Sequence, residues 1–275
     1  MPMTSTTMRS DLGQNTLTAE AAAFYRRAMA VLEQNGIPFL VGGAYAFAHY
    51  TGIVRHTKDF DLFILPAAFD SALAALADAG HAVERNFPHW LGKAYDDGSY
   101  VDLIFGSGNG LTPVDEGWFR HAEPAEVLGV PVRLCPAEEM IWSKAFIMER
   151  ERYDGADVHH VLLRCGATLD WPRMLRRFGE HWRVLLSHLV MFGFVYPAER
   201  ASVPAWVMDQ LMARLQAEQN EAPQIGRVCR GPLVSRAQYL IDVEEWGYED
   251  ARLGPAGVMS DTEVAQWTAA IAGRG

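Results

Sequence analysis

Ile37-Pro38-Phe39-Leu40-Val41-Gly42-Gly43-Ala44, followed by Asp59-Phe60-Asp61-Leu62, is the stretch on which the fold turns. A short apolar run ending in two glycines reads as a buried strand, and the alanines and aromatics from Ala44 to Tyr50 read as a helix. The order is therefore strand, glycine turn, helix. Residues 59–65 then alternate acid with apolar, which in a strand puts Asp59, Asp61 and Phe63 on one face and Phe60, Leu62 and Ile64 on the other.

Working outward, Thr18 is a candidate N-cap for a helix whose apolar face is Phe24, Ala28, Val31 and Leu32, ended by Gly36. Pro66 opens another helix bearing Phe69, Leu73 and Leu76, closed by Gly80. Strands are expected over 81–87, 90–95 and 100–105, with Asp97-Gly98 as the tight turn before the last. Asp102 lies between Val101 and Leu103 in that strand, where a carboxylate is costly unless it meets solvent, a partner or a metal.

From Pro136 onward strand signals give way to helical periodicity, beginning with Met140, Ile141, Lys144, Ile147 and Met148 and continuing over 157–164, 171–178, 181–192, 203–219 and 261–275. The fold class that follows is α+β: a mixed sheet with flanking helices, then a mostly helical C-terminal domain. The expected divisions are a polar tail over 1–16, a sheet-bearing domain over 17–135 and a helical domain over 136–275. Trp182, Trp206 and Trp246 are large core or interface candidates, and Trp142 and Trp171 are expected to pack.

With 275 residues, 49% of them hydrophobic, the chain can bury a substantial core. A formal charge of −10 argues against an extended surface for nucleic acid, which needs many clustered Lys and Arg. Arg150, Arg152, Arg173, Arg176 and Arg177 make the helical half locally basic, either as a solvated face or as a stripe guiding an RNA end. Cys135, Cys165 and Cys229 lack metal-ligand spacing, which favours reduced thiols in a cytoplasmic protein and disfavours zinc. Residues 184–196 are too short to span a bilayer needing roughly 20 apolar residues, so they read as a buried helix.

Two carboxylates one residue apart on a strand, roughly 6–7 Å from each other, can share divalent ions, with Asp102 on a neighbouring strand as a third ligand. Magnesium suits such a hard oxygen set, with manganese as the alternative. Gly42 and Gly43 allow a backbone to approach a triphosphate, and the helix that follows presents unpaired amides and its positive dipole end. Asp59, Asp61 and Asp102 are accordingly the candidate metal ligands and catalytic residues, with Asp102 also helping to deprotonate an acceptor hydroxyl.

Gly42, Gly43, Asp59, Asp61 and Asp102, in this order, resemble the polymerase-beta-like nucleotidyltransferase superfamily. The run Arg55-His56-Thr57-Lys58-Asp59-Phe60-Asp61-Leu62 is similar to that of bacterial nucleotidyltransferase-like proteins, including abortive-infection toxin components. A weaker echo continues in Lys144, Arg150 and Asp154 to Asp157. Many small transferases of the superfamily have serine where this chain has Gly43, which leaves phosphate contacts to the backbone and to Arg55, Thr57, Lys58 and Lys144. Arg55 and Thr57 alternatively brace the loop before Asp59, and Lys144 alternatively serves as an ion-paired helix lysine.

The resemblance implies metal-dependent transfer of a nucleoside monophosphate from a triphosphate to a hydroxyl of a small molecule, a tRNA end or a protein, releasing pyrophosphate. The alternative is an inert nucleotide-binding or antitoxin-like module on the same fold. A scaffold with coincidental carboxylates would hold Asp59 and Asp102 more than ~10 Å apart. His159 and His160 point to different faces of a helix and read as structural, while His49, His56 and His89 are near the candidate site in sequence only.

Overall fold

Thr18 accepts a hydrogen bond from the Ala21 amide at 3.1 Å and starts α1 (Ala19–Gln34), which buries Phe24, Tyr25, Ala28, Met29 and Leu32. The computed structural model describes residues 17–55, 57–221, 226–254 and 257–270, so the tail expected over 1–16, His56 and residues 271–275 of the segment expected over 261–275 lie outside the described residues. After α1 come β1 (Phe39–Val41), α2 (Gly43–Thr51), β2 (Asp59–Ile64), a 3-10 turn at Pro66–Ala68 and α3 (Phe69–Asp78). Then follow β3 (Ala82–Phe87), β4 (Leu91–Asp96), β5 (Ser99–Ile104), α4 (Glu116–His121), β6 (Glu123–Val127) and β7 (Val130–Leu134).

These strands form one seven-stranded mixed sheet in the order β3-β4-β5-β2-β1-β7-β6. β2 runs antiparallel to β1 and parallel to β5, with Asp61 directly opposite Asp102. The alternation in β2 is realised: Phe60, Leu62 and Ile64 are fully buried, whereas Asp59, Asp61 and Phe63 are half-buried. Tyr25 of α1 stacks on Phe60 with centroids 4.8 Å apart, and Phe69, Leu73 and Leu76 of α3 are buried as their spacing requires.

The hairpin of β6 and β7 was not foreseen. Pro124 and Pro131 lie within it, and a residue that cannot donate to a ladder weakens any strand signal. Its turn places Leu128 at φ +54° and Gly129 at φ +78°, and β7 then joins β1 in parallel through Val41 and Leu134.

The sheet is complete at Leu134. Helices follow: α5 (Ala137–Ala145), α6 (Gly155–Cys165), α7 (Trp171–Phe178), α8 (Trp182–Val195), α9 (Ala205–Gln219), α10 (Leu240–Glu244) and α11 (Asp261–Ala269), with only the short parallel pair β8 (Val228–Cys229) and β9 (Glu249–Asp250) between them. One continuous apolar core runs from Phe24 of α1 through the sheet to Leu211 of α9.

Several helical expectations need correction. α5 ends at Ala145, and Ile147 and Met148 lie in irregular chain that pairs Met148 with Tyr153. α8 is not buried all round: Leu185, Leu186, Leu189 and Phe192 face the core, while Val190, Met191, Phe194 and Val195 are exposed. Trp142, Trp171 and Trp182 are buried, but Trp206 and Trp246 are exposed and so are not core residues. No helix among the described residues is long and apolar enough to cross a membrane.

Candidate active site

A strand's alternation brings Asp59 and Asp61 to one face, and the parallel register with β5 puts Asp102 beside them. One ligand oxygen from each of the three lies within 4.8 Å of the others. That separation removes the coincidental-scaffold geometry. Asp59 and Asp61 are half-buried and Asp102 is buried.

Like charges this close oppose ionisation. Burial, then the Asp59 and Asp102 carboxylates, push Asp61 up to about 7, while Lys144 and Arg152 act in the opposite direction. Burial also raises Asp102, against the downward pull of Lys93, whose ammonium lies 2.5 Å from Asp102 Oδ1. A cluster of hard oxygen donors with an excess of negative charge fits a divalent cation.

Gly42 and Gly43 close the site from above for steric reasons. A Cβ on Gly43 would stand 1.6 Å from Asp61 Oδ2, and the residue sits at φ +50°, where side chains are disfavoured. A Cβ on Gly42 would stand 2.1 Å from the Phe63 ring. The Gly42 amide donates to the Asp61 carbonyl at 3.0 Å, so it belongs to the sheet. The amides left for an anion are those of the first turn of α2, which have no intrahelical acceptor.

The basic candidates divide. Lys144 Nζ lies 2.7 Å from Asp154 Oδ2 and 2.8 Å from Asp157 Oδ2. Arg55 pairs with the other oxygen of Asp157 at 2.6 Å and lies over the Phe47 ring at 4.4 Å. Thr57 Oγ1 accepts from the Asp59 amide at 3.3 Å, a bond that braces the loop. Lys58 is exposed, and its carbonyl accepts from the Tyr25 hydroxyl at 3.1 Å.

Two cations stand at the site beyond those named for phosphate contact, one of them, Arg152, a member of the locally basic set of arginines. Arg152 grips Asp154 with Nε and a terminal nitrogen at 2.9 and 2.8 Å, on the side of the site where Lys144 lies. Lys93 was overlooked altogether, although a lysine between Gly92 and Ala94 in an otherwise buried strand needs a partner. Of the five arginines read as a solvated face or a stripe, Arg150 and Arg176 are exposed and the other three are tied to acids. Arg173 is buried against Glu138 and Glu139, Arg177 binds Asp115 and Glu139, and Arg152 is committed to Asp154.

His159 is buried, and burial lowers its pKa. His89 bonds the Gly108 carbonyl at 3.2 Å, and His49 is exposed. The three acids are the one cluster with metal-ligand spacing among the described residues, and all three cysteines are free thiols.

No family model and no curated protein matches this chain. Among solved structures it is similar to the antibiotic-resistance factor ANT(2″)-Ia in solution, with 16% identity over 72% of this chain and 94% of that one and a TM-score of 0.39. It is similar to a crystal structure of ANT(2″)-Ia in complex with adenylyl-2″-tobramycin (16% identity, 59% and 97% coverage, TM-score 0.44). A third likeness is to the lincosamide antibiotic adenylyltransferase LnuA bound to lincomycin (13% identity, 53% and 98% coverage, TM-score 0.37).

Proposed function

We propose that this chain is a metal-dependent nucleotidyltransferase that moves a nucleoside monophosphate from a triphosphate to a hydroxyl acceptor and releases pyrophosphate. The observation that carries the reading is the meeting of Asp59, Asp61 and Asp102 directly below a turn in which Gly43 leaves no room for a Cβ. Residues 17–135 would form the catalytic unit, with 136–275 supplying cations from the side.

Asp59, Asp61 and Asp102 would hold the metal, and magnesium or manganese would supply charge neutralisation for the triphosphate and activation of the attacking oxygen. The chain's own residues orient the reactants. First-turn amides of α2 would receive phosphate oxygens. Lys144 and Arg152, anchored by Asp154 and Asp157, would set a positive flank where the leaving pyrophosphate gathers charge. Lys58 and Arg55, on the loop leading into β2, would add phosphate contacts, Arg55 from beside Lys144 on Asp157. Asp102 would accept the proton of the acceptor hydroxyl, a role suited to a carboxylate whose burial raises its basicity.

The acceptor class we propose is a small molecule, a tRNA end or a protein hydroxyl, the last two suiting a toxin-like role in a reducing cytoplasm, where three free thiols would persist. The deciding experiment is pyrophosphate release with each of the four triphosphates, magnesium or manganese and a broad acceptor pool. Turnover by the wild type and silence of Asp61→Asn are expected. Equal silence of both, with nucleotide still bound, would replace the enzyme by an inert nucleotide-binding module.

A further inference from the structure

We propose that Lys93 is a tethered counter-cation of the acid site: its ammonium holds Asp102 in the metal-free protein and must release that carboxylate before a divalent ion takes it. The inference rests on the reading of the three acids as metal ligands and adds a residue that governs how they are loaded. Lys93 stands on β4 opposite Asp102 in the antiparallel register, with Nζ 2.5 Å from Oδ1. Its side chain is 20% exposed and that of Asp102 11%, so water screens the contact weakly.

Among the described residues, Lys93 is the one cation paired directly with any of the three acids. Lys144, Arg152 and Arg55 are spoken for by Asp154 and Asp157 and act on the acids only from a distance. A monovalent ammonium on one carboxylate therefore offsets part of the repulsion among three, and it occupies one of the two oxygens that Asp102 could offer a metal. The same ammonium lies 3.9 Å from the centroid of the Tyr100 ring. That ring face gives it a second resting place once Asp102 is taken, without a swing into solvent. Lys93 is thus a positioning residue, acting through Asp102.

Manganese alone is the probe, titrated into the full chain without nucleotide at pH 8 and followed by the paramagnetic signal of free manganese. Wild type, Lys93→Met, Lys93→Arg and Asp61→Asn are compared. Removing the competing charge is expected to tighten manganese binding by Lys93→Met at least tenfold, about 1.4 kcal/mol, with Lys93→Arg within about threefold of wild type. A purely structural lysine would give the opposite sign, weaker binding through a disordered site. Equal or weaker binding by Lys93→Met, with binding lost in Asp61→Asn, overturns the role of Lys93 and leaves the metal site standing. Undiminished binding by Asp61→Asn overturns the metal site and this proposal with it.

A measurement on the wild type alone covers the case of a misfolded variant. Acetylation of Lys93, read by mass spectrometry, is expected to quicken at least threefold on saturation with magnesium as the ammonium leaves the carboxylate. An unchanged rate at saturation overturns the proposal.

Discussion

Among the described residues, two of the places that gather carboxylates away from water treat the charge differently. Beneath α5 and α7, Glu138 and Glu139 meet Arg173 through contacts of 2.5 and 2.6 Å, and Arg177 joins Glu139 at 3.0 Å and Asp115 at 2.5 Å. The Asp170 amide donates to Glu138 Oε1 at 2.7 Å. Two guanidinium forks serve Glu138, Glu139 and Asp115, with the Asp170 carboxylate 3.8 Å from Arg173 Nε, and hydrogen bonding to Arg177 is the largest influence holding Asp115 below the usual carboxylate range. On β2 and β5, three carboxylates share one pairing cation, Lys93, and Asp61 rises to about 7. The cluster held by guanidinium forks joins helices; on the proposed reading, the one with a single ammonium is a place for a cation from outside.

The contrast breaks most sharply if Asp61→Asn keeps activity. Loss of pyrophosphate release by at least about a thousandfold, ~4 kcal/mol in transition-state terms, is expected. Its metal-free stability should move the other way. An acid whose folded pKa is raised binds an extra proton in the native state between its ordinary value and about 7, so its ionisation weakens the fold as pH rises through that window. Denaturation at pH 8 without metal should therefore show Asp61→Asn more stable than wild type by about 2 kcal/mol.

For the cluster held by guanidinium forks the sign reverses. Arg173→Met takes the guanidinium from Glu138 and leaves buried Glu139 to Arg177 alone, and should lower stability by about 3 kcal/mol in urea titrations, at every metal concentration. A stabilised Arg173→Met would erase the distinction drawn between the two regions.

Gly43→Ala tests how closely the turn and the acids are fitted. Added to a backbone at φ +50° and driven against Asp61, the methyl group should cost about 1–3 kcal/mol of stability and displace the carboxylate. Manganese affinity measured beside the melting curve should fall in parallel. The gentlest test is pH alone: wild-type manganese affinity should drop about tenfold for each pH unit below 7, as a proton takes Asp61, and should level off above it. A flat profile from pH 5 to 8 would mean that Asp61 is ionised throughout.

Much of this was legible because it is local. Alternation within a single strand, a glycine pair at a strand end and the Thr18 cap need no distant residue, and β2, α1 and α2 formed where they were expected. The β6–β7 hairpin was hidden by its prolines, and the early end of α5 by apolar residues that continue the helical spacing but serve the Met148–Tyr153 pairing instead. The exposed face of α8 escaped because an apolar helix carries no mark of which side meets a neighbour.

By itself the sequence determined that Asp59 and Asp61 share a face and that a backbone bare of side chains ends the strand before them, since both follow from residue type and a period of two. The tertiary structure alone decided that Asp102 falls opposite Asp61, that Lys93 reaches Asp102, and that Lys144 and Arg152 stand bound to Asp154 and Asp157. The physical reason is range. Side-chain direction is set within a few residues of chain, whereas the partner of a charge depends on strand register and helix docking, which no local pattern encodes.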